Sequence, residues 1–132
     1  MLPNDQREQL LHAYGESVAY VRDRILTALP LTDAQRERVI EDSLRGSPAA
    51  RQSWPTQVMP EDIRSAARLI NVPTLVLSGE HDQVDPTSRL REGLLPCIAD
   101  ARLQVLSRAG HLAMLETPET VAHAIQEFAS PL

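Results

Sequence analysis

Two short apolar runs constrain this chain more than any other feature of its sequence. The first is Val72-Pro73-Thr74-Leu75-Val76-Leu77-Ser78-Gly79-Glu80-His81-Asp82, and the second is Leu103-Gln104-Val105-Leu106-Ser107-Arg108-Ala109-Gly110-His111. Each is rich in β-formers, is closed by turn residues, and ends in a side chain able to move protons. A continuous apolar run bounded by Pro73 and Gly79 suits a strand buried on both faces of a parallel sheet. Strands are therefore predicted over 74–77 and 103–106. The 25 residues from 78 to 102 leave ample chain for a right-handed parallel crossover, with a helix near 86–95. Asp82 and His111 then emerge at the carboxyl ends of neighbouring strands, where open α/β sheets place their chemistry.

The chain before residue 71 reads as helices separated by Pro and Gly, without strands. From 5 to 30 the pattern is helical. Leu10, Leu11 and Tyr14 share one face, and Val18, Val21, Ile25 and Leu29 continue it, with Arg22, Asp23 and Arg24 largely on other faces. Thr32 followed by Gln35 is a capping-box pattern that opens a second helix, which ends at Gly46. Ser47 and Pro48 start a third, short one that carries Trp54, the single tryptophan. A further helix is predicted over 60–70, packing Ile63, Ala67 and Ile70. Past the second strand, Thr117-Pro118 opens a last helix with Val121, Ile125 and Phe128 on one side. Residues 1–70 are thus a helical segment and 71–132 a βαβα unit.

Composition narrows the function classes. The 132 residues suffice for one domain with a core, and 42% hydrophobic with 23% charged residues describes an ordinary globular chain. Aromatics are only 3%, so the core must come from Leu, Val, Ile and Ala. The net charge of −5, with no cluster of Lys or Arg, offers no footprint for a phosphate backbone. Nucleic-acid binding is not expected. Cys97, the single cysteine, cannot form an intrachain disulfide, which fits a reducing compartment. No leader pattern opens the chain and no apolar run reaches membrane length, so a soluble, cytoplasmic protein is expected.

Asp82 shares a loop with Glu80 and Asp85, so a solvated acidic loop, with Asp82 or Asp85 capping the following helix, is the plain alternative for it. The loop lacks the alternating oxygen ligands of a calcium site. His12, His81 and His123 read as surface or loop residues. His111 differs because neighbouring parallel strands lie about 5 Å apart, close enough for Asp82 to meet its imidazole. Gly79 and Gly110 are expected to give the sharp turns this needs. A carboxylate there fixes the tautomer and stabilises the imidazolium. The geometric expectation is a hydrogen bond between Asp82 and His111, with Asp85 turned away to serve the following helix.

The stretches VPTLVLSGEHDQVDP (72–86) and LSRAGHLAMLETPETVAHAIQEF (106–128) resemble the C-terminal part of α/β-hydrolase fold proteins. In that family a Val-Pro-led strand ends in a Gly-x-x-Asp loop with the triad acid. The next strand ends in Gly-His with the triad base, and Glu-x-Pro-Glu opens the last helix, as Glu116, Pro118 and Glu119 do here. The resemblance covers about 70–129 and implies Asp82 as acid and His111 as general base. It implies no cofactor or metal. It makes residues 1–70 a cap-like segment, whose helices and Trp54 would overhang the pocket, and 71–132 a partial α/β-hydrolase core with an incomplete sheet. Family members include esterases, lactonases, haloperoxidase-like enzymes, dehalogenases and C–C bond hydrolases.

The departure is the nucleophile. The family places a serine on a Gly-x-Ser-x-Gly elbow, and no such motif occurs in these 132 residues. The nearest approaches, Ser78-Gly79 and Gly46-Ser47, lack flanking glycines on both sides. Cys97 sits at the far end of the crossover and is no substitute. An acid and base without nucleophile or oxyanion donors give little catalysis. The reading is therefore a C-terminal fragment of a serine-type hydrolase for a small ester-like substrate, inactive alone. The alternatives are a non-catalytic binding module of the same fold, and one half of a split enzyme. A small-molecule substrate is expected only with the missing half supplied, and an exposed sheet edge is expected to favour self-association.

Overall fold

The computed structural model describes residues 4–131. Residues 1–3, part of the stretch read above for a leader pattern, lie outside them, as does the side chain of Leu10, placed above on a helix face. Chain contacts group into two compact units. One combines residues up to 24 with Leu31–Glu61; the other combines Ile25–Pro30 with residues from 62 onward.

In the first unit, α1 (Asn4–Val21) packs on α2 (Asp33–Arg45). The capping box forms as its spacing predicts: Thr32 Oγ1 accepts from Gln35 N at 3.2 Å, and Gln35 Oε1 accepts from Thr32 N at 2.9 Å. Ser47 caps α3 (Pro48–Ser53) by accepting from Ala50 N, with Pro48 at the first turn, where its missing N–H costs nothing. Gly46 does not end α2 in a left-handed cap, since its φ is −59°. The guanidinium of Arg51 instead donates to the carbonyls of Leu44 and Gly46, serving the orphan acceptors of a helix end. Helical winding continues past Ser53 as a wide i→i+5 turn over Trp54–Val58, and Trp54 is exposed.

Arg22 departs from expectation. It is 2% exposed, not on a polar face. A wide turn over Arg22–Leu26 breaks the 3.6-residue phase of α1 there. The buried guanidinium is satisfied by the carboxylate of Asp23 and the carbonyl of Arg36, at 2.6 Å. Hydrogen bonds from Arg22, opposed by desolvation and joined by those from Arg36, hold Asp23 below the usual carboxylate range.

In the second unit, β1 (Thr74–Gly79) and β2 (Ala101–Leu106) pair in parallel, with Thr74 opposite Ala101 and Gly79 opposite Leu106. The predicted helix over 60–70 shrinks to α4 (Arg64–Ala67). Asp62 takes the Arg64 N–H and guanidinium and sets its start. Leu69 and Ile70 then donate back to Ala66 and Ala67 in tight turns that release the chain toward Pro73. Only Ala67 is buried, whereas Ile63 and Ile70 are exposed. The crossover begins as α5 (Thr87–Arg89), widens over Leu90–Leu94 and tightens over Leu95–Cys97, because Pro96 has no N–H to continue a regular helix. Two helices follow β2: α6 (Ala113–Glu116), which periodicity did not reveal, and α7 (Pro118–Ala129).

The core lies under the carboxyl ends of the strands. Leu106, Ala109 and Ala113 form its buried cluster, with Leu77 and Val121 packed against it. On α7 the fully buried residue is Ala124, while Val121 and Phe128 are half-buried and Ile125 is exposed. The sheet is incomplete, with two strands among the described residues. Thr74 to Leu77 are accordingly half-buried, not covered on both faces as their apolar run predicts. Only the end of β1 is enclosed, where Ser78 Oγ pairs with Thr87 Oγ1 at 2.6 Å.

Gly79 is required for space and not for turning: no glycine has positive φ. A Cβ on Gly79 would stand 2.2 Å from the carbonyl oxygen of Gly110. Gly79→Ala is expected to cost about 1–3 kcal/mol or more through the forced backbone shift. Gly93→Ala, where a Cβ meets nothing within 4 Å, is expected to be neutral or to stabilise by about 1 kcal/mol. Urea midpoints of the two variants check this, and equal effects would contradict it.

Candidate active site

Beyond the paired strands, backbone N–H groups must find new acceptors, and they find them in an order that builds the site. Glu80 N donates to Leu106 O at 2.9 Å and His81 N to Ala109 O at 2.9 Å, so the loop after β1 stays tied to the turn after β2. Asp82 follows at the tip of a turn in which its own N–H donates to Gly79 O at 3.1 Å. Its two carboxylate oxygens divide their work. Oδ1 accepts from Val84 N at 2.8 Å and Asp85 N at 3.0 Å, and Oδ2 lies 2.9 Å from Nδ1 of His111.

The turn carrying His111 is fixed along its length. Arg108 adopts φ 64°, the only positive φ among the described non-glycine residues, and its N–H donates to Glu80 Oε2 at 2.8 Å. Ala109 is wholly buried. Gly110 N donates to both oxygens of Glu116, and Leu112 N to Leu26 O at 3.0 Å. Gly110 also serves by lacking a side chain: a Cβ there would lie 2.8 Å from Ala28 N.

The Asp82 side chain is 8% exposed and the imidazole 33%. Burial is the largest single influence on Asp82 and opposes its ionisation. The Asp85 N–H, the His111 ring and the Val84 N–H together outweigh it and hold the carboxyl below the ordinary carboxylate value. The pair is thus an ionised acid bonded to one ring nitrogen of a partly exposed histidine. With Nδ1–H donating to Asp82, the neutral ring presents Nε2 as a proton acceptor.

The expected Asp82–His111 contact is present. Asp85 does not cap the next helix: α5 begins after Pro86 with no side-chain cap bond, and Asp85 contributes its N–H to Asp82 instead. His12, His81 and His123 have exposed side chains, near Glu16, Glu80 and Glu127 respectively. Ser17, Ser43, Ser53 and Ser130 each donate to a carbonyl in their own helical stretch. Among the described residues, no hydrogen bond joins a serine hydroxyl to His111, and no three His, Cys, Asp or Glu side chains are grouped as a metal ion requires. No described helix is long and apolar enough to cross a membrane. Residue patterns marked Glu116 as the first residue of the Glu-x-Pro-Glu stretch but did not reveal its bonds to Gly110, Ala28 and Leu29.

No protein-family model matches the sequence, and no curated protein does. Solved structures do match. An esterase from Exiguobacterium antarcticum aligns at 24% identity and TM-score 0.71, over 96% of this chain and 44% of its own. A bromoperoxidase from Bacillus anthracis aligns at 18% and 0.70, over 95% and 44%. A serine hydrolase involved in carbazole degradation aligns at 26% and 0.62, over 84% and 45%. The chain spans between 37% and 50% of the length of such structures. It has the α/β-hydrolase fold, of which it forms the C-terminal part.

Proposed function

We propose that this chain supplies the acid and the base of a serine-type hydrolase acting on a small ester-like substrate. Asp82 is the acid that orients and stabilises the ring, and His111 is the general base. The nucleophile elbow and oxyanion donors belong to polypeptide outside these 132 residues. The helical segment, residues 1–70, serves as a cap in this reading, and no cofactor takes part. The observation that carries it is the 2.9 Å contact between Asp82 Oδ2 and His111 Nδ1 at the ends of adjacent parallel strands. The matched structures add weight, since esterases, a lipase and a phospholipase are among them. The half-buried run Thr74 to Leu77 is where a further strand would add, and without one this edge favours self-association.

In the step this pair performs, a serine hydroxyl gives its proton to Nε2 as its oxygen attacks the ester carbonyl. The imidazolium so formed is stabilised by Asp82 and returns the proton to the leaving alkoxide. Alone, the chain is expected to hydrolyse p-nitrophenyl acetate no faster than its His111→Ala variant and to resist a fluorophosphonate probe. Joined to an N-terminal half bearing Gly-x-Ser-x-Gly, it is expected to turn the ester over, and His111→Ala or Asp82→Asn should each lower kcat/KM by roughly a thousandfold or more. Stoichiometric labelling of a serine in the isolated chain would overturn the proposal. A dye-silent monomer with a sharp melting transition would favour the binding module.

The acid also leaves a mark on stability. Its folded pKa lies below its unfolded value, about 3.9. Its contribution is therefore complete above that value and is lost as pH falls through the folded one. Asp82→Asn is expected to lower the urea midpoint at pH 6 and to narrow its gap to the parent chain below about pH 4. Midpoints measured across pH 3–7 check both signs.

A further inference from the structure

Glu116 makes no hydrogen bond to Asp82 or to the imidazole, yet more backbone N–H groups converge on it than on either. Its Oε1 accepts from Ala28 N at 2.6 Å, Leu29 N at 2.8 Å and Gly110 N at 3.1 Å, and its Oε2 accepts from Gly110 N at 3.0 Å. Ala28 is 88 residues away in sequence, so one carboxylate joins three segments: the end of α6, the turn after β2, and the strap formed by Ile25–Pro30. The strap returns a bond of its own through Leu26 O, which accepts from Leu112 N at 3.0 Å. His111 is therefore flanked on both sides by main-chain N–H groups, of Gly110 and Leu112, committed to this assembly. The missing side chain of Gly110 belongs to the same device, because a Cβ there would meet Ala28 N at 2.8 Å and Leu26 O at 3.1 Å.

We propose that Glu116 is a positioning residue for His111: by binding Gly110 N together with Ala28 N and Leu29 N, it holds the turn so that Nδ1 faces Asp82. The inference rests on the reading of Asp82 and His111 as a working pair. Charge-assisted hydrogen bonds to main-chain N–H groups are among the strong ones, and here they lock the residue next to the imidazole. A carboxylate suits the position because it only accepts; an amide in its place would turn a donor toward one of the same N–H groups.

Nuclear magnetic resonance on the whole chain tests this without any need for turnover. Long-range proton–nitrogen correlations report the tautomer of each neutral histidine, and the Nδ1–H exchange rate reports the bond to Asp82. In the parent chain His111 should be the Nδ1–H tautomer with a protected proton, while the exposed rings of His12 and His123, whose carboxylate neighbours face Nε2, show no protected Nδ1–H. Glu116→Ala should shift His111 away from that tautomer and speed Nδ1–H exchange roughly tenfold or more, as loss of the one charge-assisted bond between the ring and Asp82 would. Glu116→Gln, which keeps one accepting oxygen, should fall between, and it gives the readout if the alanine variant does not fold. Ile98→Ala, which opens a cavity at the buried Ile98, should lower stability and leave the His111 tautomer unchanged.

A protected Nδ1–H in the parent that persists unchanged in Glu116→Gln and Glu116→Ala would overturn the role of Glu116 alone. No protected Nδ1–H in the parent would overturn the acid–base pair and, with it, this inference. An equal shift in Ile98→Ala would reduce Glu116 to general stability, which also overturns the proposal.

Discussion

The contact on which the rest depends is the passage of two main chains without side chains between them, at Gly79 and Gly110. With Gly110 O at 2.2 Å from where a Cβ of Gly79 would stand, no other residue fits at the end of β1. That closeness continues the strand pairing past its formal end, through Glu80 N to Leu106 O and His81 N to Ala109 O. Asp82 is thereby delivered across the gap to His111. Distance between strands alone would leave two loops free to diverge; the continued pairing makes Asp82 and His111 parts of one frame.

Once a ladder ends, its unpaired N–H groups are costly if buried, and here carboxylates take over from carbonyls as acceptors. Glu80 takes Arg108 N, Asp82 takes Val84 N and Asp85 N, and Glu116 takes Gly110 N with Ala28 N and Leu29 N. A loop that reads as a solvated acidic cluster is thus largely a set of main-chain acceptors. The functional consequence is selective. Of these carboxylates, Asp82 has an oxygen on His111, and its other oxygen is occupied in holding the loop that presents it.

What the sequence disclosed follows from the range of each signal. Capping at Thr32 and Ser47 is decided within three residues, so the pattern sufficed. The strands declared themselves through apolar runs, and the turn residues that close each run placed Asp82 and His111 at adjacent strand ends. The bonds from Arg22 to the Arg36 carbonyl and from Ala28 and Leu29 of the strap to Glu116 were illegible because they span 14 to 88 residues and use main-chain groups that carry no residue signature. The glycines were noticed for the wrong physical reason. They looked like turn formers, whereas the left-handed residue is Arg108 and the glycines provide clearance. The short α4 was lost to a local competitor, since Asp62 captures Arg64 before a longer helix can form.

The hydrogen bonds that hold the Asp82–His111 pair join residues of Ile25–Pro30 or of the chain from 62 onward. The pair is therefore organised by one unit, with no part played by a nucleophile or an oxyanion site. Preorganisation of this kind matters because a histidine that must find its tautomer during reaction spends barrier on doing so, whereas one already bonded through Nδ1 meets the hydroxyl as an oriented base. In the function proposed for this chain, a partner half would need to add only the groups that touch the carbonyl, the attacking oxygen and the donors that receive the oxyanion. The geometry it must match is set by Nε2 of a ring whose other nitrogen is fixed at 2.9 Å from Asp82. In that reading a misplacement of about 1 Å at the junction costs on the order of a hundredfold in rate, so the bonds that hold the turn at Arg108, Gly110 and Glu116 bear on catalysis as much as the identity of the pair itself.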